Sequence, residues 1–219
     1  MAYQRTPYVE SKRTEARERL VSAALERVAA GGWRDVQMSA VAAAAGLSTG
    51  ALYLHFPSKT ALLTEVYRTQ AAAELRMIGT IAAAERPAAE RLAEAIRAFA
   101  QRALSNRRLG YAMVLEPTEI EVEEERLHFH ARFIELFATL LEAGRAAGEF
   151  DVPDATVAGA CIFGALIESL LAPLAPSATG KARPRARAEV QARVDGVVAF
   201  CLRGLAPAPV SPRGRKASR

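Results

Sequence analysis

Apolar residues recur along this chain at spacings of three and four, and runs of Val, Ile or Thr with a period of two are missing. That spacing belongs to helices that bury one face, not to half-buried strands. Ala, Leu, Glu and Arg dominate, and all four favour the helix. The expected class is therefore all-α. Glycines and prolines divide the chain into about nine helices. The first covers 11–30, with Leu20, Val21, Ala24, Leu25 and Val28 as its apolar stripe, and Gly31-Gly32 stop it. The second covers 38–45 and ends at Gly46. Ser48 caps a third over 49–56, which Pro57 breaks, and Ser58 caps a fourth running towards 84. Five more are expected at 87–106, 109–115, 117–144, 154–171 and 185–205, with a loop over 173–184 and a basic, proline-containing, disordered tail over 206–219.

At 219 residues, 51% hydrophobic and net +5, the chain can build a real core and is too apolar for general disorder. The charge is uneven: residues 1–68 sum to +3, residues 69–205 to −2 and the tail to +4. A basic N-terminal part beside a mildly acidic body suggests a polyanion-binding end and a body with another task. The most apolar stretch, 157–174, holds Glu168 and Pro173 and falls short of a membrane span, so no membrane partner is expected. The first 20 residues lack an apolar signal core, and Cys161 and Cys201 do not make a disulfide scaffold, so a cytoplasmic location is expected. Both cysteines are expected as small buried hydrophobes.

The informative segment is Val41-Ala42-Ala43-Ala44-Ala45-Gly46-Leu47-Ser48-Thr49-Gly50-Ala51-Leu52-Tyr53. Two short helices joined through a glycine turn make a helix-turn-helix. Gly46 supplies the left-handed turn, Ala42 allows close approach, and Val41, Ala45, Leu47 and Leu52 hold the pair together. Thr49, Gly50, Ala51, Tyr53 and Leu54 are left on or beside the exposed face of a second helix that carries no acid, which suits a major groove flanked by phosphates. A helix–glycine–helix alone equally suits an ordinary hairpin in a core. The residues that follow shift the balance.

Gly46-Leu47-Ser48-Thr49-Gly50-Ala51-Leu52-Tyr53-Leu54-His55-Phe56-Pro57-Ser58-Lys59 closely resembles the signature of the tetracycline-repressor (TetR) family of transcriptional regulators, and Gly32-Trp33 resembles the Gly-aromatic pair after that family's first helix. The match covers roughly residues 10–65. One stretch departs from it: where the family places Thr or Ser at the start of the second helix, this chain has Val36 and Gln37, and Asp35 or Ser39 would have to substitute.

The resemblance implies a homodimeric regulator, most often a repressor, with a three-helix DNA-binding domain over 1–56, a ligand-binding and dimerisation domain over 57–205 and the basic tail over 206–219. It implies DNA contacts at Gln37, Ser48, Thr49, Gly50, Ala51, Tyr53, His55 and Lys59, with Phe56 and Trp33 in the core. Arg5, Lys12, Arg13 and Arg17 are candidates for a basic flank on the DNA backbone. The expected partners are a palindromic duplex operator, a second copy joined through helices near 154–172 and 185–205, and a small apolar or amphipathic effector. At that dimer contact, Ala158, Gly159, Ala160, Gly164 and Ala165 would allow close approach and Ile162, Leu166, Leu170, Val194, Val198 and Leu202 would supply apolar surface. Candidate pocket residues are Phe99, Tyr111, Met113, Phe129, Phe133, Phe137 and Phe163, which would equally make a plain core; polar candidates are Glu116, His128, His130, Arg132 and Glu168. The acids Glu116, Glu119, Glu121, Glu123, Glu124 and Glu125 read as a solvated helix start. His128 and His130 diverge on a helix, so no metal, and no cofactor, is expected. With no nucleophile motif or phosphate loop, an enzyme is not expected. A non-sensing dimeric DNA-binding protein and an activator remain the alternatives.

Overall fold

The computed structural model describes residues 7–175 and 187–207. Among them all regular structure is helical: α1 Pro7–Gly31, a 3-10 turn Trp33–Asp35, α2 Met38–Ala44, α3 Thr49–His55, α4 Lys59–Ala82, α5 Ala88–Ser105, α6 Arg107–Val114, α7 Ile120–Ala146, α8 Ala155–Leu174 and α9 Arg187–Leu205. The helix ends follow local chemistry. Ser48 and Ser58 side chains accept the backbone N–H of Ala51 and Ala61 at 3.1 and 3.0 Å, and Asp154 accepts those of Thr156 and Val157. Asn106 accepts the Leu109 N–H, so α6 starts two residues before its expected position. Glu149, from the turn after α7, accepts the N–H groups of Ala88 and Ala89 at 2.9 and 3.0 Å and so caps α5 from across the body. Those bonds hold its carboxyl below the ordinary range.

The loop expected from 173 begins later. Pro173 lies inside the last turn of α8, and the Ala175 N–H still reaches Leu171 O at 2.9 Å. A proline so near the end forfeits only its own helical bond. Most of that loop, most of the tail and Arg5 lie outside the described residues.

Two apolar clusters organise the chain. The N-terminal one joins Leu20, Val28, Trp33, Val41, Leu52 and Phe56 to Leu62, Leu63, Val66 and Tyr67 of α4, and reaches Ala112, Val122 and Phe129. The second fills the body between α5, α7, α8 and α9, around Leu92, Ile96, Phe99, Phe133, Phe137, Leu141, Phe163 and Leu166. Helices α4 and α7 each contribute to both, so they join the two halves of the chain.

Three expectations about α8 and α9 need correction. Ile162, Leu166, Leu170, Val194 and Val198 are buried within the chain, and a Cβ on Gly159 would come within 2.9 Å of Ile134 O on α7. They hold the body together and do not face outward. The outward face carries the expected Ala160 and Gly164 together with Val157, Cys161 and Leu171 on α8 and Gly196, Phe200 and Gly204 on α9. An almost continuously apolar helix gives no sign in its periodicity of which side faces inward. Cys161 is accordingly exposed, while Cys201 is buried. Finally, α8 is long and apolar enough by composition to cross a membrane, against the expectation from 157–174. Its packing on α7 and its outward apolar stripe account for that composition.

Candidate nucleic-acid interface

The turn between α2 and α3 is built as its residues require. Gly46 has φ +69°, its N–H reaches Ala43 O at 3.0 Å, and the Leu47 N–H reaches Ala42 O at 2.9 Å, closing the end of α2. A Cβ on Gly46 would meet nothing within 4 Å, so the backbone angle alone selects glycine there. Val41, Ala42, Ala45 and Leu52 are buried between the helices. Opposite Leu52, α3 leaves Thr49, Gly50, Tyr53 and Leu54 exposed, with Ala51 and His55 half-buried beside them. Neither α2 nor α3 carries an acid.

The remaining expected contact residues lie around this face. Gln37 is exposed at the N-cap of α2 and makes no side-chain cap bond; neither Asp35 nor Ser39 replaces it. The start of α2 therefore keeps free N–H donors. Lys59 opens α4, directly after the Ser58 cap, where N–H groups also point towards any anion. Burial, with Arg13 and Arg17 adding, pushes the His55 pKa below the ordinary imidazole value, so the ring is neutral at pH 7. Arg17 is not part of a free flank: it donates to His55 O at 3.2 Å, pairs with Glu65 at 3.1 Å and lies 4.3 Å over the Phe56 ring. It fixes the end of α3 to α4. Lys12 pairs with Glu15 on the surface. Leu54, expected on or beside this face, is 78% exposed next to Tyr53.

Behind this face, α6 is latched to the root of the helix-turn-helix. Arg108 donates to Gly31 O and to Glu116 Oε1, both at 2.6 Å. The Trp33 N–H donates to Glu116 Oε2 at 3.3 Å, and the Trp33 indole N–H donates to Ala112 O at 2.8 Å. Arg126 closes the group, donating to Glu116 O at 2.8 Å. Gly32, at φ +87°, sits under the Arg108 guanidinium, which comes within 1.4 Å of where a Cβ would stand. The acids of 116–125 are thus only partly a solvated helix start: Glu116 pairs with Arg108, Glu123 with Arg126 and Glu125 with Arg68.

In the body, the expected pocket residues mostly fill space. Phe99 meets Phe133 and Phe163 edge-on at 5.5 and 6.0 Å, and Phe133 stacks on Phe163 at 5.6 Å. Phe137 is wholly buried, Phe129 packs edge-on against Tyr67, and Tyr111 lies under Arg108. Phe99 and Met113 border a cleft of about 130 Å³ between α4, α5 and α6, with Gln70, Glu74, Arg102 and Asn106 at its rim. His130 packs edge-on against Phe163 at 5.0 Å, and burial pushes its pKa down; His128 and Glu168 are exposed. Among the described residues no three His, Cys, Asp or Glu side chains gather as a metal set.

Known proteins share this plan. Residues 20–66 match the model of bacterial regulatory proteins of the tetR family, and residues 85–170 match a tetracyclin repressor-like C-terminal domain. Among curated proteins none matches in sequence. Solved structures do. The regulator FadR of Bacillus subtilis, in complex with stearoyl-CoA, is 20% identical with a TM-score of 0.70, covering 86% of this chain and 98% of its own. The fatty acid degradation regulator FadR of Bacillus halodurans is 22% identical, TM-score 0.70, covering 91% and 96%. A TetR/AcrR-family regulator of Thermobifida fusca is 22% identical, TM-score 0.66, covering 86% and 97%. Both halves of a two-part family plan are present in order, over more than half of the residues, and the chain belongs to the TetR family of bacterial transcriptional regulators.

Proposed function

We propose that this chain is a homodimeric repressor that holds a palindromic operator through α3 and releases it when a small apolar or amphipathic ligand enters the body. The observation that carries the DNA half is the uncovered, acid-free face of α3, with Thr49, Gly50, Tyr53 and Leu54 exposed opposite a buried Leu52. Thr49 can hydrogen-bond base edges, and the Ala51 and Leu54 methyls can meet thymine methyls. Gln37, Ser48, Tyr53, His55 and Lys59 take phosphates. No Arg or Asn stands on α3 to read a base through two bonds, so phosphate contacts and DNA shape carry much of the affinity.

Residues 1–56 form the DNA-binding part and 57–205 the ligand-binding and dimerising part. The outward stripe Val157, Cys161, Gly164, Leu171, Gly196, Phe200 and Gly204 supports dimerisation through α8 and α9: small residues allow close approach and Phe200 supplies apolar area. The effector enters at the cleft beside Phe99 and Met113, which at about 130 Å³ has to widen to hold it, and that widening displaces α6. Ala112, Arg108 and Glu116 then carry the displacement to Gly31 and Trp33 at the base of the helix-turn-helix. Stearoyl-CoA in the Bacillus subtilis relative supports an amphipathic effector. The cytoplasm is the compartment in which such a protein meets its operator.

Selection of bound duplexes from a random library tests the first half. The expected result is a two-fold symmetric sequence, with affinity falling steeply as salt rises; salt-independent binding contradicts it. Titrating amphipathic compounds into that complex tests the second half. Failure of every compound to release DNA favours the alternative, a dimer that binds DNA without sensing.

A further inference from the structure

The side of α3 that faces away from the chain is apolar, and nothing inside the chain accounts for it. At about 100° per residue, the direction opposite the buried Leu52 falls between Gly50 and Leu54, with Thr49 and Tyr53 on one flank and Ala51 on the other. Leu54 is 78% exposed, more than any other large apolar side chain among the described residues. Gly50 lies inside the helix without a positive φ, and a Cβ there would meet only Ser48 Oγ, at 4.0 Å. Glycine destabilises a helix relative to alanine, so neither the backbone angle nor packing within the chain selects it. The missing side chain leaves room for a surface outside the chain to approach the α3 backbone. Polar readers are absent from the same side. No Lys, Arg, Asn, Gln, Asp or Glu stands on α3. The Ser48 hydroxyl accepts the Ala51 N–H as the cap, and the Arg17 guanidinium at the end of α3 is committed to His55 O and Glu65.

We propose, on the footing that α3 enters the major groove of duplex DNA, that Leu54 is a methyl reader. In each half-site it rewards the C5 methyl of one pyrimidine, on thymine and on 5-methylcytosine alike. The methyl is the one apolar group that the base edges present in that groove; the others are hydrogen-bond donors and acceptors. A leucine side chain makes no hydrogen bond, so it does not distinguish the O4 acceptor of thymine from the N4 donor of cytosine. It gains only by taking a methyl out of water. 5-Methylcytosine carries the same methyl on the same carbon, and its contact with Leu54 is the same. Gly50, one turn earlier on the same line of the helix, lets α3 sink far enough for that contact. Operator binding is therefore sensitive to cytosine methylation at one position per half-site.

The test is fluorescence anisotropy of the full-length protein on the duplex selected from a random library. Each thymine is replaced in turn, in both half-sites together, by deoxyuridine, which lacks only the methyl. One position is expected to lose about fourfold for each of its two methyls, or about fifteenfold in all. With a C·G pair at that position, 5-methylcytosine is expected to bind more tightly than cytosine by about the same factor. Leu54→Ala, a change at an exposed position, is expected to lose both differences; an effect of the methyl on duplex stiffness would survive in that variant. Deoxyuridine duplexes that all bind as well as the thymine duplex overturn the proposal. So does a cytosine methyl without effect, or a methyl effect that persists in Leu54→Ala. Each of those outcomes leaves DNA binding itself standing, whereas binding to no duplex at low salt overturns the DNA-binding function and the methyl readout together.

Discussion

The two halves of the molecule place function on opposite sides of their surfaces. In the N-terminal half the large side chains, Trp33, Phe56, Leu52 and Leu20, are buried, and Thr49, Gly50 and Tyr53 are left exposed on α3. In the body the side chains that look suited to a ligand, Phe99, Phe133 and Phe163, pack on one another, and the open space lies elsewhere, under Arg76 and Arg132. A surface that binds DNA needs convex exposure, whereas a small molecule needs concavity, and aromatic content alone does not distinguish a concavity from a filled core.

The largest effect should fall in the body. Phe133→Ala removes a ring from a stacked cluster and is expected to cost about 3–5 kcal/mol in chemical denaturation. A loss below about 1 kcal/mol would mean that the cluster is loosely filled and behaves as a pocket after all. The next prediction compares two glycines. Gly32→Ala meets both a positive φ and the Arg108 guanidinium, so it should cost about 3 kcal/mol by displacing a mostly buried ion pair. Gly46→Ala meets only the backbone angle and should cost about 1 kcal/mol. Equal losses would show that the α6 latch contributes nothing to stability.

At the convex face, Tyr53→Ala and Lys59→Ala should each weaken operator binding by about tenfold, or about 1.4 kcal/mol, while leaving the melting temperature within a degree or two. Full retention of affinity in an electrophoretic shift assay removes both from the contact list. The smallest effect concerns His55. Burial and two arginines depress its pKa in the free protein, and a phosphate beside it would raise that pKa in the complex. The complex would then bind a proton that the free protein does not, so affinity rises as pH falls through the pKa of the ring in the complex and levels off below that of the free protein. His55→Gln should flatten that dependence; an unchanged profile places His55 outside the contacts.

The N-terminal half was legible because its contacts are local. Gly46, Ser48, Pro57 and Ser58 punctuate helices within one turn, and each sits where its own backbone demands it. Leu52 is buried because it is the one strongly apolar residue on the side of α3 that faces α2. Even the absent cap at Gln37 could be read from its side chain. The partners of the arginines could not. Arg17 is drawn to Glu65 and Phe56, and Arg108 to Gly31 and Glu116, by pairings that depend on which helices meet.

What the order of residues settled by itself was the helical class, the breaks between helices and the turn that presents α3, since each depends on backbone preferences acting over a few residues. Tertiary packing alone decided which face of α8 turns inward, that Glu149 caps α5 from across the body, and where the arginine-rimmed groove opens. Those outcomes depend on the distance between segments far apart in the chain, and such a distance exists only once the helices have docked.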